Sequence, residues 1–582
     1  MKRIVLYYLK PYYYRMGIGF LIKFIGSIMD LLLPWILAYM IDTVIPLKDK
    51  ESIYLWGGAM LVCSFLAVSF NIIANRMASK VARDTTEAIR NDLFEKTMYL
   101  SNYNIDLYTR PSLMSRLTSD TYNIHQMIGR VQRLGVRAPI LLIGGIIITM
   151  TLDPVLSCVL LLMMPFLVVI MMWVSRKSIP MYSRLQEAVD RFVKLIREDI
   201  TGMRVIKALS KEAYERERFE KINEEVVKHE KNAGVTMAMI EPLVNIIMNM
   251  ALVGVIVVGA FRVNSGLTQV GKILAFMTYF TIILNAMMTI SKMFIISSKA
   301  IASARRITNI LDTEEDMQLI KDIKDREDER GEAPFHIVFD EVSFSYNASN
   351  SNEEAYTLSN ISFKLKRGET LGILGGTGAG KTTLVNLLLR FYDVNKGRIL
   401  IDGKDIRTIP LTQLRSGFGV AFQNDTIFED TILENVRLGR NLDEAQIQEA
   451  LLYAKAKEFV EEKEGGVSEA LNIKGANLSG GQKQRILIAR ALATHPDILI
   501  LDDSSSALDY KTDAQLRQEL KAHFANTSKL IIAQRVSSIM GADTIIVLED
   551  GKIIGSGKHE ELMVSCDVYR EISASQMGGD AR

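Results

Sequence analysis

The stretch Gly375-Gly376-Thr377-Gly378-Ala379-Gly380-Lys381-Thr382-Thr383 has the residue types and order needed to hold a phosphate chain. It fits the spacing G-x-x-x-x-G-K-[ST], with an additional glycine at 378. Glycines let backbone N–H groups close around phosphate oxygens without Cβ clashes. Lys381 is spaced to reach the β- and γ-phosphates, and Thr382 to ligate Mg²⁺. A second acid fits the same chemistry. Ile498-Leu499-Ile500-Leu501-Asp502 is an apolar run ending in a carboxylate, so Asp502 is expected at a strand tip holding Mg²⁺. Leu478-Ser479-Gly480-Gly481-Gln482, ahead of a helix over Lys483–Ala493, offers further N–H and O–H donors to phosphate. The first phosphate loop is already complete, so this second element implies a site shared with another nucleotide domain.

These groups need a scaffold, and the flanking pattern supplies one. Thr370-Leu371-Gly372-Ile373-Leu374 reads as a buried strand before the loop, and Leu384-Val385-Asn386-Leu387-Leu388-Leu389 as a helix after it. Val338–Ser345 alternates as a strand, with Tyr346 behind it, and Asp402-Gly403 and Asp550-Gly551 read as hairpin turns. The expected fold for 335–582 is an α/β P-loop domain with an antiparallel β part and a helical part.

The rest of the chain is different in kind. Of 582 residues, 48% are hydrophobic and 23% charged, which suggests an apolar part joined to a charged part. A net charge of +2 gives no nucleic-acid signature. Cys63, Cys158 and Cys566 are too few for a disulfide framework, and the two in apolar runs read as small core residues. Six long apolar runs, 16–41, 53–74, 135–152, 155–174, 239–261 and 273–297, mostly reach the roughly 20 residues that cross a bilayer. The first is too long and too late for a signal peptide. An all-α membrane domain of six helices is therefore expected over 1–312, led in by a basic, aromatic segment from Met1 to Tyr14. Long basic stretches between runs two and three, and four and five, belong on the cytoplasmic side with both termini. They keep a helical period, so the membrane helices should run on into the cytoplasm. Each pair should close in a short segment, for which Asn102–Ser112 and Glu198–Lys211 are the candidates. The charged connector 313–334 marks the boundary between the two parts.

Polar residues inside apolar runs are candidates for a substrate path. Lys23 and Asp30 share a face of the first run; Lys23 could also snorkel to the interface. Glu241, Asn245 and Asn249 form a stripe on the fifth run, and Asn285 lies in the sixth. The alternative is hydrogen bonding between helices. Among the 28 methionines, Met163, Met164, Met171, Met172, Met287 and Met288 fall in these runs, where packing or lipid contact competes with a pliable ligand surface.

On these residues nearly the whole chain resembles an ATP-binding cassette exporter half-transporter, a membrane domain followed by a nucleotide domain. Gly375–Thr383 is similar to the family's Walker A loop, Ile498–Asp502 to its Walker B strand, and Leu478–Gln482 to its signature, letter for letter. Gln423 matches the Q-loop glutamine, Tyr346 the aromatic that stacks on adenine, and Ser506–Asp509 the D-loop, with Asp509 at its end. Leu113–Asp120 and Glu198–Glu212 resemble the two intracellular loops that couple the domains. The resemblance implies ATP and Mg²⁺ as cofactors, a bilayer location and multidrug-type efflux of hydrophobic or amphipathic compounds. It also implies two nucleotide domains facing head to tail, each signature completing the other's site. No peptidase domain stands before the first run, which argues against a processing peptide exporter. Composition leans toward a bacterial plasma membrane.

Two departures matter. The residue after the Walker B acid is normally a glutamate base; here it is Asp503. The switch histidine is replaced by Gln534 in Ala533-Gln534-Arg535. The glutamate usual before the signature is also missing, at Asn472-Ile473-Lys474-Gly475. Both site changes fall on one catalytic centre while Lys381, Thr382 and the signature stay intact. That combination resembles the degenerate-site subunit of a heterodimeric exporter, with slow hydrolysis at its own Walker site and a partner that carries the usual Glu and His. The alternatives are a homodimeric drug or lipid flippase, or a non-transporting subunit gated by ATP.

Overall fold

The computed structural model describes residues 7–314, 317, 334–346, 356–423, 426–504 and 506–577. The chain divides into two compact units. One comprises Met1–Met98 and Pro111–Thr313; the other comprises Tyr99–Arg110 and Glu314–Arg582. Most of the connector 313–334, and the first residues of the N-terminal lead-in, lie outside the described residues.

The first unit is all-helical. Its helices are α1 (Tyr13–Tyr39) and α2 (Lys50–Met98), then, after α3 (Asn102–Tyr108), α4 (Arg110–Ser115), α5 (Thr121–Arg130) and α6 (Arg137–Leu152). α7 (Pro154–Ala208), α8 (Glu212–Ala238), α9 (Ile240–Asn264) and α10 (Val270–Leu311) complete it. Lys10–Val44, Lys50–Met98, Arg110–Leu152, Glu212–Asn264 and Val270–Leu311 contain stretches long and apolar enough to cross a membrane. Pro154–Ile170, the start of α7, is a shorter apolar stretch, so the six runs of the sequence all appear as helix. At 49 residues α2 is about 74 Å long, against a bilayer core of roughly 30 Å, so it overruns the membrane as expected.

Helix starts are fixed by side chains. Asp153 caps α7, its Oδ1 accepting from the N–H groups of Val155 (3.0 Å) and Leu156 (3.2 Å), with Pro154 in the first turn. Its other oxygen accepts from Arg262 Nε at 3.0 Å. α10 has a distant cap: Asp42 accepts from the N–H groups of Gly271 (2.5 Å) and Lys272 (2.9 Å). α10 then organises the interior. Ala275 and Tyr279 pack with Leu31 and Ala38 of α1, while Phe276, Phe280 and Leu284 pack with Leu156, Ala251 and Val255 of α7 and α9. These sets recur at i, i+4, so one helix serves two faces.

The turns differ from the sequence expectation in one case. Asn102–Ser112 does contain a short helix, α3. Glu198–Lys211 does not: α7 continues to Ala208, and only residues 209–211 turn, with Ser210 at φ 51°. A single mid-helix glycine, Gly202, costs only about 1 kcal/mol relative to alanine, too little to break a helix this long. Leu113–Asp120 lies past α3 on the returning helical segment, where buried Asp120 pairs with Arg306 and accepts from Ser303 Oγ at 2.8 Å.

The second unit holds two sheets. One is antiparallel, in the order β2 (Leu358–Leu365), β1 (Ile337–Phe344), β4 (Lys396–Ile401), β5 (Lys404–Asp405). The other runs β10 (Lys552–Gly557), β9 (Thr544–Glu549), β3 (Thr370–Gly375), β8 (Ser528–Ile532), β7 (Ile498–Asp502), β6 (Phe418–Ala421). It is parallel except at the β10 edge. Both predicted hairpins form, and Asp402, Gly403, Asp550 and Gly551 all have positive φ, as a two-residue twist-matched turn requires. One core lies beneath β3 and its helix α11 (Lys381–Leu388); a separate core gathers the helices around Ile486 and Leu487. The first carries the phosphate loop and the second carries the signature.

Candidate nucleotide site

β3 ends at Gly375 and α11 begins at Lys381, so the glycine loop joins strand to helix N-terminus. Gly378 (φ 87°) and Gly380 (φ 98°) hold conformations that side chains rarely adopt. A Cβ at Gly376 or Gly378 would meet nothing within 4 Å, whereas one at Gly380 would strike Leu358 at 2.5 Å. The loop is thus packed behind and open in front, which fits a phosphate chain. Thr377 and Ala379 complete it, and Thr383 is buried beneath. Lys381 Nζ donates to the carbonyls of Gly375 and Gly376, each at 2.7 Å, which lays its charge across the loop. Burial pushes its pKa down, opposed by Asp502 and Asp503.

Asp502 ends β7 and is 4% exposed. Burial, then the neighbouring Asp503, raises its pKa to about 6; Lys381 acts the other way. Its carboxylate, the hydroxyl of exposed Thr382 and the amide oxygen of exposed Gln423 are the oxygen donors that could hold Mg²⁺.

Asp503 has an unusual backbone, φ 47°. Its N–H donates to Ile532 O at 2.8 Å, and its carbonyl accepts from Ser506 Oγ at 2.9 Å. This pinning turns the carboxylate toward two amides. Oδ2 accepts from Gln423 Nε2 at 3.0 Å and from Gln534 Nε2 at 2.9 Å. Three residues distant in sequence therefore meet at one oxygen. Burial raises the Asp503 pKa, opposed by Lys381, the Gln423 bond and Arg535. Sequence reasoning missed the support behind Gln534. Gln576 donates to its carbonyl at 2.7 Å and accepts from Val536 N–H at 2.7 Å, bolting the segment to the C-terminal helix.

Tyr346 sits beside α11, its hydroxyl donating to Thr383 Oγ1 at 3.2 Å. Its ring meets Phe344 and Tyr392 edge-on, at 4.9 and 5.1 Å between centroids. Tyr392 in turn donates to Asp106 of α3 at 2.6 Å. Nothing in the pattern around Asp106 signalled that pairing.

The signature stands apart. Ser479 caps the helix Gly480–Leu492, its Oγ accepting from Gln482 N–H at 3.3 Å while Gln482 Oε1 accepts from Ser479 N–H at 3.0 Å. Gln482's side chain is engaged in that box. Ser479 and Gly480 are exposed, and a Cβ at Gly480 would meet nothing within 4 Å. Asp509 caps the helix Tyr510–His523 by accepting from Thr512 N–H (2.9 Å) and Oγ1 (2.8 Å), bonds that hold its carboxyl below the usual range.

The membrane-run residues divide. Asp30 is half-buried and bound, accepting from Arg137 at 2.8 Å and Asn71 at 3.3 Å. Lys23 does not snorkel: it is 2% exposed and donates to Asn75 at 3.0 Å. Gly26 between them lets α1 approach α2 closely enough for both pairs, since a Cβ there would lie 3.1 Å from Phe70. Asn245 and Asn249 are exposed on α9. Asn285 lines a cleft of about 220 Å³ with Arg137 and Thr289. The side chain of Glu241 lies outside the described residues, as does that of Met171. Met163 and Met287 pack on the α7–α9–α10 core, while Met172 is exposed. Cys158 is exposed and Cys63 half-buried, so neither is the core residue expected; each lies on an apolar helix that turns much of its surface outward.

Fold and site together define a P-loop ATPase carried on a membrane-helix domain. The first part, residues 16–287, matches the model of the ABC transporter transmembrane region, and residues 358–506 match the ABC transporter model. An ABC transporter ATP-binding protein of Bacillus subtilis (strain 168), YfiB, is 34% identical over 572 residues, 98% of each chain. A fatty acid ABC transporter ATP-binding/permease protein of Mycobacterium bovis is 29% identical over 88% of this chain and 80% of its own. A solved bacterial Atm1-family ABC exporter with ATP bound superposes with a TM-score of 0.80, at 23% identity, covering 98% of this chain and 99% of that one. The chain belongs to the ABC transporters and has the half-transporter fold of their exporters, whose ATPase domain binds ATP and which act as dimers in the membrane.

Proposed function

We propose that this chain is one subunit of a heterodimeric exporter of hydrophobic or amphipathic compounds, and that its own Walker site holds ATP but hydrolyses it slowly. The reading is carried by the Gln423–Asp503–Gln534 cluster. A general base needs an accepting lone pair aimed at the attacking water. Oδ2 of Asp503 already accepts two amide protons, which fixes the direction of the carboxylate and leaves Oδ1 as the oxygen to face a water. The aspartate is also one methylene, about 1.5 Å, shorter than the family's glutamate. A misplacement near an ångström costs on the order of a hundredfold. Gln534 can donate a hydrogen bond but cannot become cationic.

In this reading the backbone of Gly375–Thr383 and Lys381 hold the phosphates, and Tyr346 stacks on the base. Thr382, Gln423 and Asp502 would hold Mg²⁺, which neutralises charge developing on the phosphates when bound. Ser479, Gly480, Gly481 and Asp509 are offered to ATP bound by the partner. Ser479 Oγ accepts from its own helix, so its proton remains to donate; Gln482 acts by shaping that cap. The membrane domain is taken as 1–312, the connector as 313–334 and the ATPase as 335–582, with the ATPase and both termini cytoplasmic in a bacterial plasma membrane. Asn245, Asn249 and Asn285 are taken to line the substrate path; Glu241, the fourth candidate, has its side chain outside the described residues. Asp30 does not, because Arg137 and Asn71 already engage it.

Measuring ATP hydrolysis by the purified chain alone tests the pairing. A low rate that rises when a half-transporter with the usual Glu and His is co-purified is the expected result; homodimer hydrolysis at ordinary family rates sinks it. A second reading, a homodimer moving acyl lipids, is favoured by the fatty acid transporter among its relatives. Acyl-lipid flux from vesicles holding this chain alone would select that reading.

A further inference from the structure

From the end of its apolar run onward, α2 presents Ile72, Asn75, Arg76, Ser79, Lys80 and Arg83 around one open cleft of about 470 Å³. Two of these are polar neutral groups, and both are oriented from behind by cations of other helices. Buried Lys23 donates to Asn75 Oδ1 at 3.0 Å, which leaves the amide N–H groups as Asn75's contribution to the cleft. Arg133 donates to Ser79 Oγ at 3.0 Å, which leaves the hydroxyl proton to point elsewhere. An asparagine and a serine that could have accepted are thereby made donors. In front stand three cations. Arg83 is tied to Asp84 by bonds of 2.9 and 2.8 Å, but Arg76 and Lys80 are exposed and form no ion pair among the described residues. Among the described residues no carboxylate lines the cleft, and its one apolar member, Ile72, belongs to the end of the apolar run.

We infer that this donor-lined cleft on α2 binds the anionic head of an amphipath, a phosphate or carboxylate whose tail lies along the apolar part of the helix. A cluster of flexible cations alone would be an ordinary membrane-edge flank. The orientation of Asn75 and Ser79 by Lys23 and Arg133 is what a flank does not need. The inference concerns binding and stands whatever the hydrolysis rate at the Walker site.

The test uses the full chain, delipidated in detergent, with lipid retention read by native mass spectrometry. The probes are phosphatidylglycerol, phosphatidylcholine with the same tails, oleate and inorganic phosphate. The wild type should bind phosphatidylglycerol and oleate in preference to phosphatidylcholine. Each cation near an anionic head contributes enough that removing two, in Arg76→Gln/Lys80→Gln, should weaken anion binding about 30-fold. Asn75→Leu should weaken it too, while Arg184→Gln, an exposed cation on α7, should not. Failure of inorganic phosphate to displace the lipid would support a site for a tailed headgroup, and its displacement by inorganic phosphate at matched concentration would mark a site for the free anion and overturn the assignment. Equal retention of phosphatidylcholine and phosphatidylglycerol, unchanged preference in the double variant, or an equal loss in Arg184→Gln would overturn it.

Discussion

Consider restoring the family's usual residues at Asp503 and Gln534. Asp503 Oδ2 carries two charge-assisted amide bonds, at 3.0 and 2.9 Å, each worth about 1.5–3 kcal/mol. In Asp503→Glu alone the longer side chain reaches the position of a base, but both glutamines still draw its carboxylate back. Gln534→His alone frees part of that carboxylate yet leaves it about 1.5 Å short. Each single change is therefore expected to raise kcat less than tenfold. The double change removes both faults and is expected to give about a hundredfold, or about 2.7 kcal/mol of barrier. Such non-additivity is what residues acting as one unit display. The assay is phosphate release at saturating Mg²⁺–ATP from the purified chain, with nucleotide affinity measured in parallel. A hundredfold gain from Asp503→Glu alone would refute the clasp argument. So would no gain from the double variant while its affinity for ATP is unchanged.

Other outcomes follow from the same structure. The Asp502 pKa is raised to about 6, so the folded chain binds a proton there more tightly than the unfolded one. That contribution to stability is present below about pH 4 and is lost as pH rises through about 6; thermal unfolding without nucleotide should show it, and Asp502→Asn should flatten it. Mg²⁺ needs the ionised form, so Mg²⁺-dependent ATP binding should weaken below about pH 6. Tyr392→Phe removes the hydroxyl that donates to Asp106 and should speed amide exchange in residues 99–110 while leaving ATP affinity within about twofold. Asp42→Ala deletes the cap of α10 and should cost about 1–2 kcal/mol in denaturation of the detergent-solubilised chain.

Much of this arrangement is legible in the chain because it is local. The glycine loop, the apolar run into Asp502 and the Asp-Gly turns each lie within a few residues, and their backbone demands are met by those residues themselves. What joins distant segments is not written that way. The meeting of Gln423, Asp503 and Gln534 depends on β6, β7 and β8 lying side by side. The resemblance to a family named these residues without showing that two amides share one oxygen. Asp42 reads as a lone acid at the end of an apolar run, and only the fold makes it a cap. That Lys23 and Asp30 share a face is legible from their spacing of seven. Which partners that face would meet, Asn75 and Asn71, is fixed by the antiparallel register of α1 and α2, which a single sequence leaves open.

The membership of Tyr99–Arg110 in the ATPase unit bears on how the chain is made. Asp106 leaves the ribosome 286 residues before Tyr392, the residue that binds it. At about 5–20 residues per second, that is a wait of roughly 15 to 60 s. Through that interval the segment must stay accessible and uncommitted, although the helices on either side of it have already been synthesised. Its docking is therefore a late, long-range step of biogenesis. A chain that ends before Tyr392 carries α3 with the hydrogen-bond partner of Asp106 missing.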